Sequence, residues 1–265
     1  MPKVSVIMGA YNCADTLRLA VYSIKSQSFS DWEFIICNDA STDNTWEVLS
    51  EIAQDDHRLI LINNNKNLAL GGTLNRCVEK ASGEYLARQD ADDYSLPERL
   101  QEQVKFLDEH PQISVAGSYA ELFDSSGKVW GVNKPPLYPE MKDWLKGSCL
   151  IHPSVMMRRK DIEKVGYYDP TAIRVEDYEL WLRMALAGYR MVTIPKILYR
   201  FHMDLSDYKR KRFSHRLHEV KIKYRIMKKL SLSPLYYGFL LKPLITGFIP
   251  RNLLYTYHYR KFRLS

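Results

Sequence analysis

Four short, mainly apolar runs, each followed by a turn and then by residues at helical spacing, constrain this fold more than any other feature. They are KVSVIMGAY, EFIICND, RLILINN and GEYLARQ. Runs of this kind lack the in-and-out alternation of a half-exposed strand and are expected where a strand is covered on both faces. The segments after them predict helices: Ala14 to Gln27, STDNTWEVLSEIAQ with Ser, Thr and Asp at its cap, GGTLNRCVEKA, and LPERLQEQVKFLDEH with Pro97 in its first turn. Strands alternating with helices predict right-handed crossovers and an α/β domain with a mostly parallel sheet. Ligands of such sheets bind beyond the carboxyl ends of the strands. Tyr11 and Asn12 follow the first strand, Asp39 the second, and Asp90, Asp92 and Asp93 the fourth.

From about residue 112 the pattern is mixed. ISVAGSYAELFD and KVWG read as strands around a turn at SSG, VEDYELWLRMALAG as a helix ended by Gly188, and RMVTIPKILYRFH as a final strand pair. A basic helix is expected from Ser206 to Leu230, followed by the aromatic and apolar SPLYYGFLLKPLITGFIPRNLLYTYHYRKFR. Lys242, Pro243 and Gly247 interrupt that segment, which suits an interfacial position better than a span. The organisation expected is a body over 1–205, with halves of about 1–110 and 111–205, and an extension over 206–265.

At 265 residues, 46% hydrophobic and 26% charged, the chain is globular in composition, which excludes fibrous and disordered classes. Cys13, Cys37, Cys77 and Cys149 are far apart and form no C-x-x-C pair, which speaks for reduced thiols and against a zinc ribbon. The N-terminal apolar run is too short for a secretory signal. Residues 200–265 hold 16 Lys or Arg against 3 Asp or Glu, a net +13, whereas residues 1–199 carry 22 against 28, a net −6. A positive tail on an acidic body predicts attraction to a polyanion, a nucleic acid or an anionic membrane face, unless it is simply a solvated helix surface.

Three aspartates in four positions repel one another unless a cation sits among them. Their oxygen-only donor set suits a hard divalent ion, Mn²⁺ or Mg²⁺, which typically bridges phosphates. The neighbouring strand ends supply what a nucleotide needs: an aromatic ring in Tyr11, an acceptor for a base N–H in Asp39 and a cation in Arg88. Each also has a structural reading: Tyr11 as a half-buried aromatic, Asp39 as a cap for the STDNT helix, the Asp cluster as a cap near Leu96.

The segments VSVIMGAYN, EFIICNDASTDNT, GEYLARQDADD and VEDYELWLR, in this order, resemble the signatures of glycosyltransferase family 2, inverting enzymes of GT-A fold, and in particular bacterial exopolysaccharide and capsule glycosyltransferases. The resemblance is strong over residues 3–203 and looser over the tail. It implies a GT-A fold, a Rossmann-like sheet flanked by helices with a basic helical C-terminal extension. It also implies a nucleotide-sugar donor lying along Ala10, Tyr11, Asn12, Asp39, Arg88, Asp90, Ala91, Asp92 and Asp93. Asp92 and Asp93, with His202 of YRFH closing the site, would be metal ligands, although a His there also reads as a loop surface residue. Asp177, with Glu176 beside it, would be the catalytic base. GSCLIHPSVMMRR would be the loop before that base, and its Gly147 and His152 would shape the acceptor and donor-sugar pocket.

Inverting transfer is one in-line displacement, so it needs a base on the acceptor hydroxyl and an electrophile on the leaving diphosphate, and no covalent nucleophile. As an acidic residue at a helix start, Asp177 is expected to have a lowered pKa. The family's processive synthases carry a Q-x-x-R-W motif and membrane helices. Neither is found in this sequence, so addition of a single sugar is expected; the resemblance implies a UDP-sugar donor, with dTDP- and GDP-sugars as the alternatives, and a saccharide or polyprenyl-diphosphate-linked acceptor. The expected setting is cytoplasmic, peripheral on the anionic inner membrane face. The alternatives are a nucleotidyltransferase, whose Gly-rich basic loop GAYNCADTL lacks, and a nucleic-acid-binding protein using the tail, which lacks a recognisable nucleic-acid motif.

Overall fold

The computed structural model describes residues 1–204, 213–229 and 234–263. The four apolar runs form β1 (Val4–Ala10), β2 (Trp32–Asn38), β3 (Leu59–Asn63) and β4 (Tyr85–Arg88), joined by α1 (Ala14–Lys25), α2 (Thr45–Ala53) and α3 (Ala69–Lys80). They pair in parallel in the order β3-β2-β1-β4. The chain therefore winds outward from β1 to β3 and then crosses back to β4. A crevice opens at the carboxyl ends of the strands where the winding reverses. The residues flanking this one are Ala10–Asn12 and Gln89–Asp93.

Side chains along these strands alternate between two cores. Ile7, Ile35 and Leu86 pack with Leu74, Cys77 and Val78 of α3, while Val6, Met8, Phe34 and Ile36 pack with Leu17, Val21 and Ile24 of α1. Burial on both faces is the reason the runs carry no polar alternation. All four cysteines are free.

The second half adds β5 (Tyr94–Ser95), α4 (Arg99–Glu109), β6 (Ile113–Phe123), β7 (Val129–Asn133), α5 (Met141–Lys146), β8 (Met156–Arg158), α6 (Arg159–Val165), α7 (Glu176–Leu186) and β9 (Arg190–His202). β8 runs antiparallel between β4 and β6, β9 parallel to β6, and β5 antiparallel to β9. The mainly parallel expectation thus holds for the first four strands, and the completed sheet is mixed.

Four local expectations are corrected. RMVTIPKILYRFH is one strand: its register against β6 jumps from Ile194 opposite Ser118 to Ile197 opposite Tyr119, so Pro195 and Lys196 form a bulge in place of a turn. Proline is tolerated where the ladder is already broken. Pro97 precedes α4 rather than opening it, and its carbonyl accepts from Ser28 N–H at 2.9 Å. α2 has no side-chain cap bond at Asn44; Asp43 instead accepts from the N–H of Thr45 at 3.1 Å and of Ala14 at 3.5 Å, tying two helix starts together. GSCLIHPSVMMRR is not a simple loop, since it contains a 3₁₀ turn at His152–Ser154 and then β8.

The tail contributes α8 (Phe213–Lys229), a 3₁₀ turn at Pro234–Leu240, α9 (Leu241–Phe248) and α10 (Arg251–Phe262). Of the expected basic helix, 206–212 and 230 lie outside the described residues. These helices pack on the body. Ile222 of α8 joins the α3/α7 core, and Trp130 of β7 stacks on Tyr259 of α10 with centroids 5.1 Å apart. No helix among the described residues is long and apolar enough to cross a membrane.

Candidate active site

β4 ends at Arg88, and the chain turns through Asp90–Asp93 before β5 pairs with β9 at Tyr94 and Ser95. That pairing clamps the aspartate loop against the end of β9. Asp93 accepts from the backbone N–H of His202 at 2.7 Å, and the Asp90 N–H donates to the Tyr199 hydroxyl at 3.2 Å. Beneath the loop lies Arg99, fully buried, donating to the carbonyls of Arg88 at 2.7 Å and Val155 at 3.1 Å and to Ser95 Oγ at 2.7 Å. Burial lowers the Arg99 pKa to about 10.

One carboxylate oxygen from each of Asp90, Asp92 and Asp93 falls within 4.8 Å of the others. Asp90 is paired with the buried Arg88, whose charge Asp90 sustains against its burial. Asp93 is buried, and its Oδ2 has no hydrogen-bond partner among the described residues. Burial first, and then the charges of Asp90 and Asp92, push its carboxyl well above the ordinary range. An oxygen-only cluster with a buried, unsatisfied oxygen fits a hard divalent cation, which would satisfy that oxygen and offset the repulsion. His202 stands half-buried at the end of β9, not on a surface loop, with Nδ1 4.0 Å from Asp92 and Nε2 3.4 Å from Asp204.

Two clefts meet over this cluster. The first, of about 880 Å³, is lined by Ala10, Tyr11, Asn12, Asp39, Asp90, Ala91, Asp92 and His202. The second, of about 720 Å³, takes in Arg88, Gly147, His152 and Asp177. Asp90, Asp92, Arg174, Glu176 and His202 border both. Asp93 lies buried beneath the junction.

Individual residues also have structural duties. Tyr11 is half exposed at the cleft, as a stacking surface must be. Asn12 adopts φ 48°, a left-handed conformation asparagine tolerates, and its Oδ1 accepts from Thr42 N–H at 2.8 Å. Asp39 is no cap for α2: its Oδ1 accepts from Leu68 N–H at 2.8 Å, at the start of α3, and from Asn64 Nδ2 at 2.9 Å. His152 is buried with Nε2 2.9 Å from the Tyr168 hydroxyl, and burial, then Arg88, depresses its pKa, so it is neutral.

The expectation for Asp177 is reversed. Burial raises its carboxyl above the ordinary value despite the lowering contribution of the helix-start Tyr178 N–H. Burial and Asp177 together lift Glu176 to about 7. Both are therefore better bases than free carboxylates.

Sequence reasoning missed Arg99 and Arg174. Arg99 sits at the start of an amphipathic helix, where spacing alone does not separate a buried arginine from a solvated one. Arg174 has φ 66° and is exposed at the junction of the clefts, with no ion pair among the described residues. No local pattern announces it.

Residues 5–166 match the glycosyl transferase family 2 profile. EpsE of Bacillus subtilis (strain 168), provisionally named a glycosyltransferase, is 38% identical over 263 residues, covering 98% of this chain and 94% of its own. The UDP-Glc:alpha-D-GlcNAc-diphosphoundecaprenol beta-1,3-glucosyltransferase WfaP of Escherichia coli is 32% identical over 205 residues, 76% of this chain and 78% of its own. The crystal structure of Staphylococcus aureus TarS 1-349 with UDP-GlcNAc superposes with a TM-score of 0.70 at 21% identity, covering 91% of this chain and 71% of that one. The mannosyltransferase PcManGT of Pyrobaculum calidifontis with GDP-Man and Mn²⁺ gives 0.64 at 17%, covering 98% and 82%. The chain belongs to glycosyltransferase family 2. It has the GT-A fold and is a glycosyltransferase.

Proposed function

We propose that this enzyme moves one sugar, with inversion, from a UDP-sugar to a hydroxyl of a saccharide carried on polyprenyl diphosphate, during synthesis of an extracellular or capsular polysaccharide. The observation that carries this reading is the meeting of two clefts at Asp90, Asp92 and Glu176, with Asp177 in the second alone. A donor in the first cleft stacks its base on Tyr11 and turns an N–H toward Asp39. Its diphosphate lies over the aspartate loop. Asp92 and Asp93, with His202 beside them, would hold Mn²⁺ or Mg²⁺, which when bound would supply Lewis-acid neutralisation of the leaving diphosphate. Asp177 takes the proton of the acceptor hydroxyl entering from the second cleft, and its raised pKa strengthens it as a base. Glu176 borders both clefts and orients the two reactants. Gly147 and His152 shape the sugar-facing wall. The reading draws support from the donor and acceptor in the name of the Escherichia coli relative and from the nucleotides and Mn²⁺ in the structural neighbours.

The body over 1–205 carries the chemistry, and the extension over 206–265 brings it to the anionic inner face of the membrane. The test is release of nucleoside diphosphate from a panel of nucleotide sugars with and without Mn²⁺. Asp92→Ala and Asp177→Asn are each expected to lower turnover about a thousandfold. Only the first should weaken Mn²⁺-dependent UDP binding; equal loss of binding in both would refute the division of roles. Tight RNA or DNA binding without turnover of any nucleotide sugar would refute the reading altogether.

A further inference from the structure

The outer wall of the second cleft comes from the C-terminal helices, and its charge is opposite to that of the carboxylates at the junction. Lys242 of α9 reaches in beside Gly147, where its Nζ donates to the Lys146 carbonyl at 2.7 Å. Lys146, Arg216 and His258 line the same cleft, and none of them borders the first. Lys242 makes no ion pair among the described residues. Arg216 lies 3.3 Å from Glu219, which it shares with the buried Lys223 at 2.9 Å, and Lys146 lies 3.1 Å from Asp143. Burial, then Lys223 and Lys261, lower the Lys242 pKa from its ordinary value. Cations gathered in this way gain most when an anion arrives.

α9 presents a second, different face. Lys242, Pro243 and Thr246 turn into the cleft, whereas Leu241, Ile245 and Phe248, spaced four and then three residues apart, are 57%, 60% and 78% exposed. An apolar strip on one short helix therefore borders a basic wall. A ligand that satisfies both has a strongly anionic head and a hydrocarbon chain.

We propose that this wall is the binding site for the diphosphate of a polyprenyl-diphosphate-linked acceptor. Lys242, Lys146 and Arg216 hold the diphosphate, the hydrocarbon lies along Leu241, Ile245 and Phe248, and the sugar points inward toward Asp177. The assignment rests on the glycosyl-transfer reading above and adds to it the residues that recognise the carrier.

The test uses the full chain saturated with UDP and Mn²⁺, so that the first cleft is filled, and measures binding of farnesyl diphosphate, inorganic pyrophosphate and farnesol. Farnesyl diphosphate is expected to bind at least about tenfold more tightly than either other probe. Lys242→Gln should weaken it about tenfold and Lys242→Arg restore it. Ile245→Asp should weaken farnesyl diphosphate while sparing pyrophosphate, a result independent of how Lys242→Gln folds; UDP affinity is the folding control. Equal binding of pyrophosphate would reduce the wall to a free-phosphate site, and equal binding of farnesol to a hydrocarbon surface. Either result, or indifference to Lys242→Gln in a folded protein, overturns the proposal. Nucleotide release by the unaltered enzyme is a separate measurement, so the transfer reading stands or falls apart from this one.

Discussion

Glu176 and Arg174 lie two residues apart at the junction of the clefts, and each is held in a state that costs stability. Glu176 titrates at about 7 in the folded chain against 4.5 as its ordinary value. Between those values the folded chain keeps a proton that the unfolded chain has released, so its stabilising contribution is full below pH 4.5 and is lost as pH rises through 7. Glu176→Gln in metal-free buffer should therefore match the parent near pH 4 and exceed it by about 1–3 kcal/mol at pH 8, measured by urea denaturation. An equal difference at both pH values would contradict the burial argument. Arg174 occupies left-handed backbone at φ 66°, which costs an arginine about 1 kcal/mol and a glycine nothing. Arg174→Gly is expected to keep or raise the melting temperature while lowering kcat/KM for the donor about tenfold, since a cation is lost at the junction where the proposed donor would lie. Unchanged turnover would mean the strain serves no function.

Among the elements, α10 shows how the tail is joined to the body. Gly131 of β7 bridges to Arg263, and a Cβ at Gly131 would meet the Phe262 carbonyl at 2.5 Å. Gly131→Val should lift the end of α10, expose the buried Trp130 and speed tryptic cleavage within residues 251–263, with UDP affinity kept within about twofold. Unaltered cleavage and Trp130 emission would show the contact to be dispensable. α8 is more deeply integrated, because Ile222 fills the core behind α7 and the burial of such a side chain is worth about 1.5–3 kcal/mol. Apolar runs bounded by turns and followed by helical spacing were legible from residues alone, β1 to β4 among them. β8 was not, because three residues define no period, and β9 was misread because Pro195 marks a bulge as readily as a turn.

Across the whole molecule, residues 200–265 carry a net +13 and residues 1–199 a net −6. If the tail meets an anionic membrane, binding to phosphatidylserine vesicles should fall steeply as salt rises from about 0.05 to 0.5 M, where the screening length shrinks from about 14 to 4 Å. Salt-independent sedimentation would count against an electrostatic contact. The order of apolar runs and helical segments along the chain sets the βαβ winding, and with it the edge of the sheet at which Tyr11, Asp39 and the aspartate loop gather. Burial along these strands and the site for a ligand at a topological reversal both follow from unbroken apolar runs alternating with helical segments. Packing between distant segments sets which of those carboxylates are buried, raises Asp177 and Glu176 where a helix start alone would lower them, and brings Lys242 from the tail to complete the second cleft. Desolvation and the meeting of distant cations depend on what packs around a residue, and no stretch of sequence around Asp177 or Lys242 contains the partners that impose them.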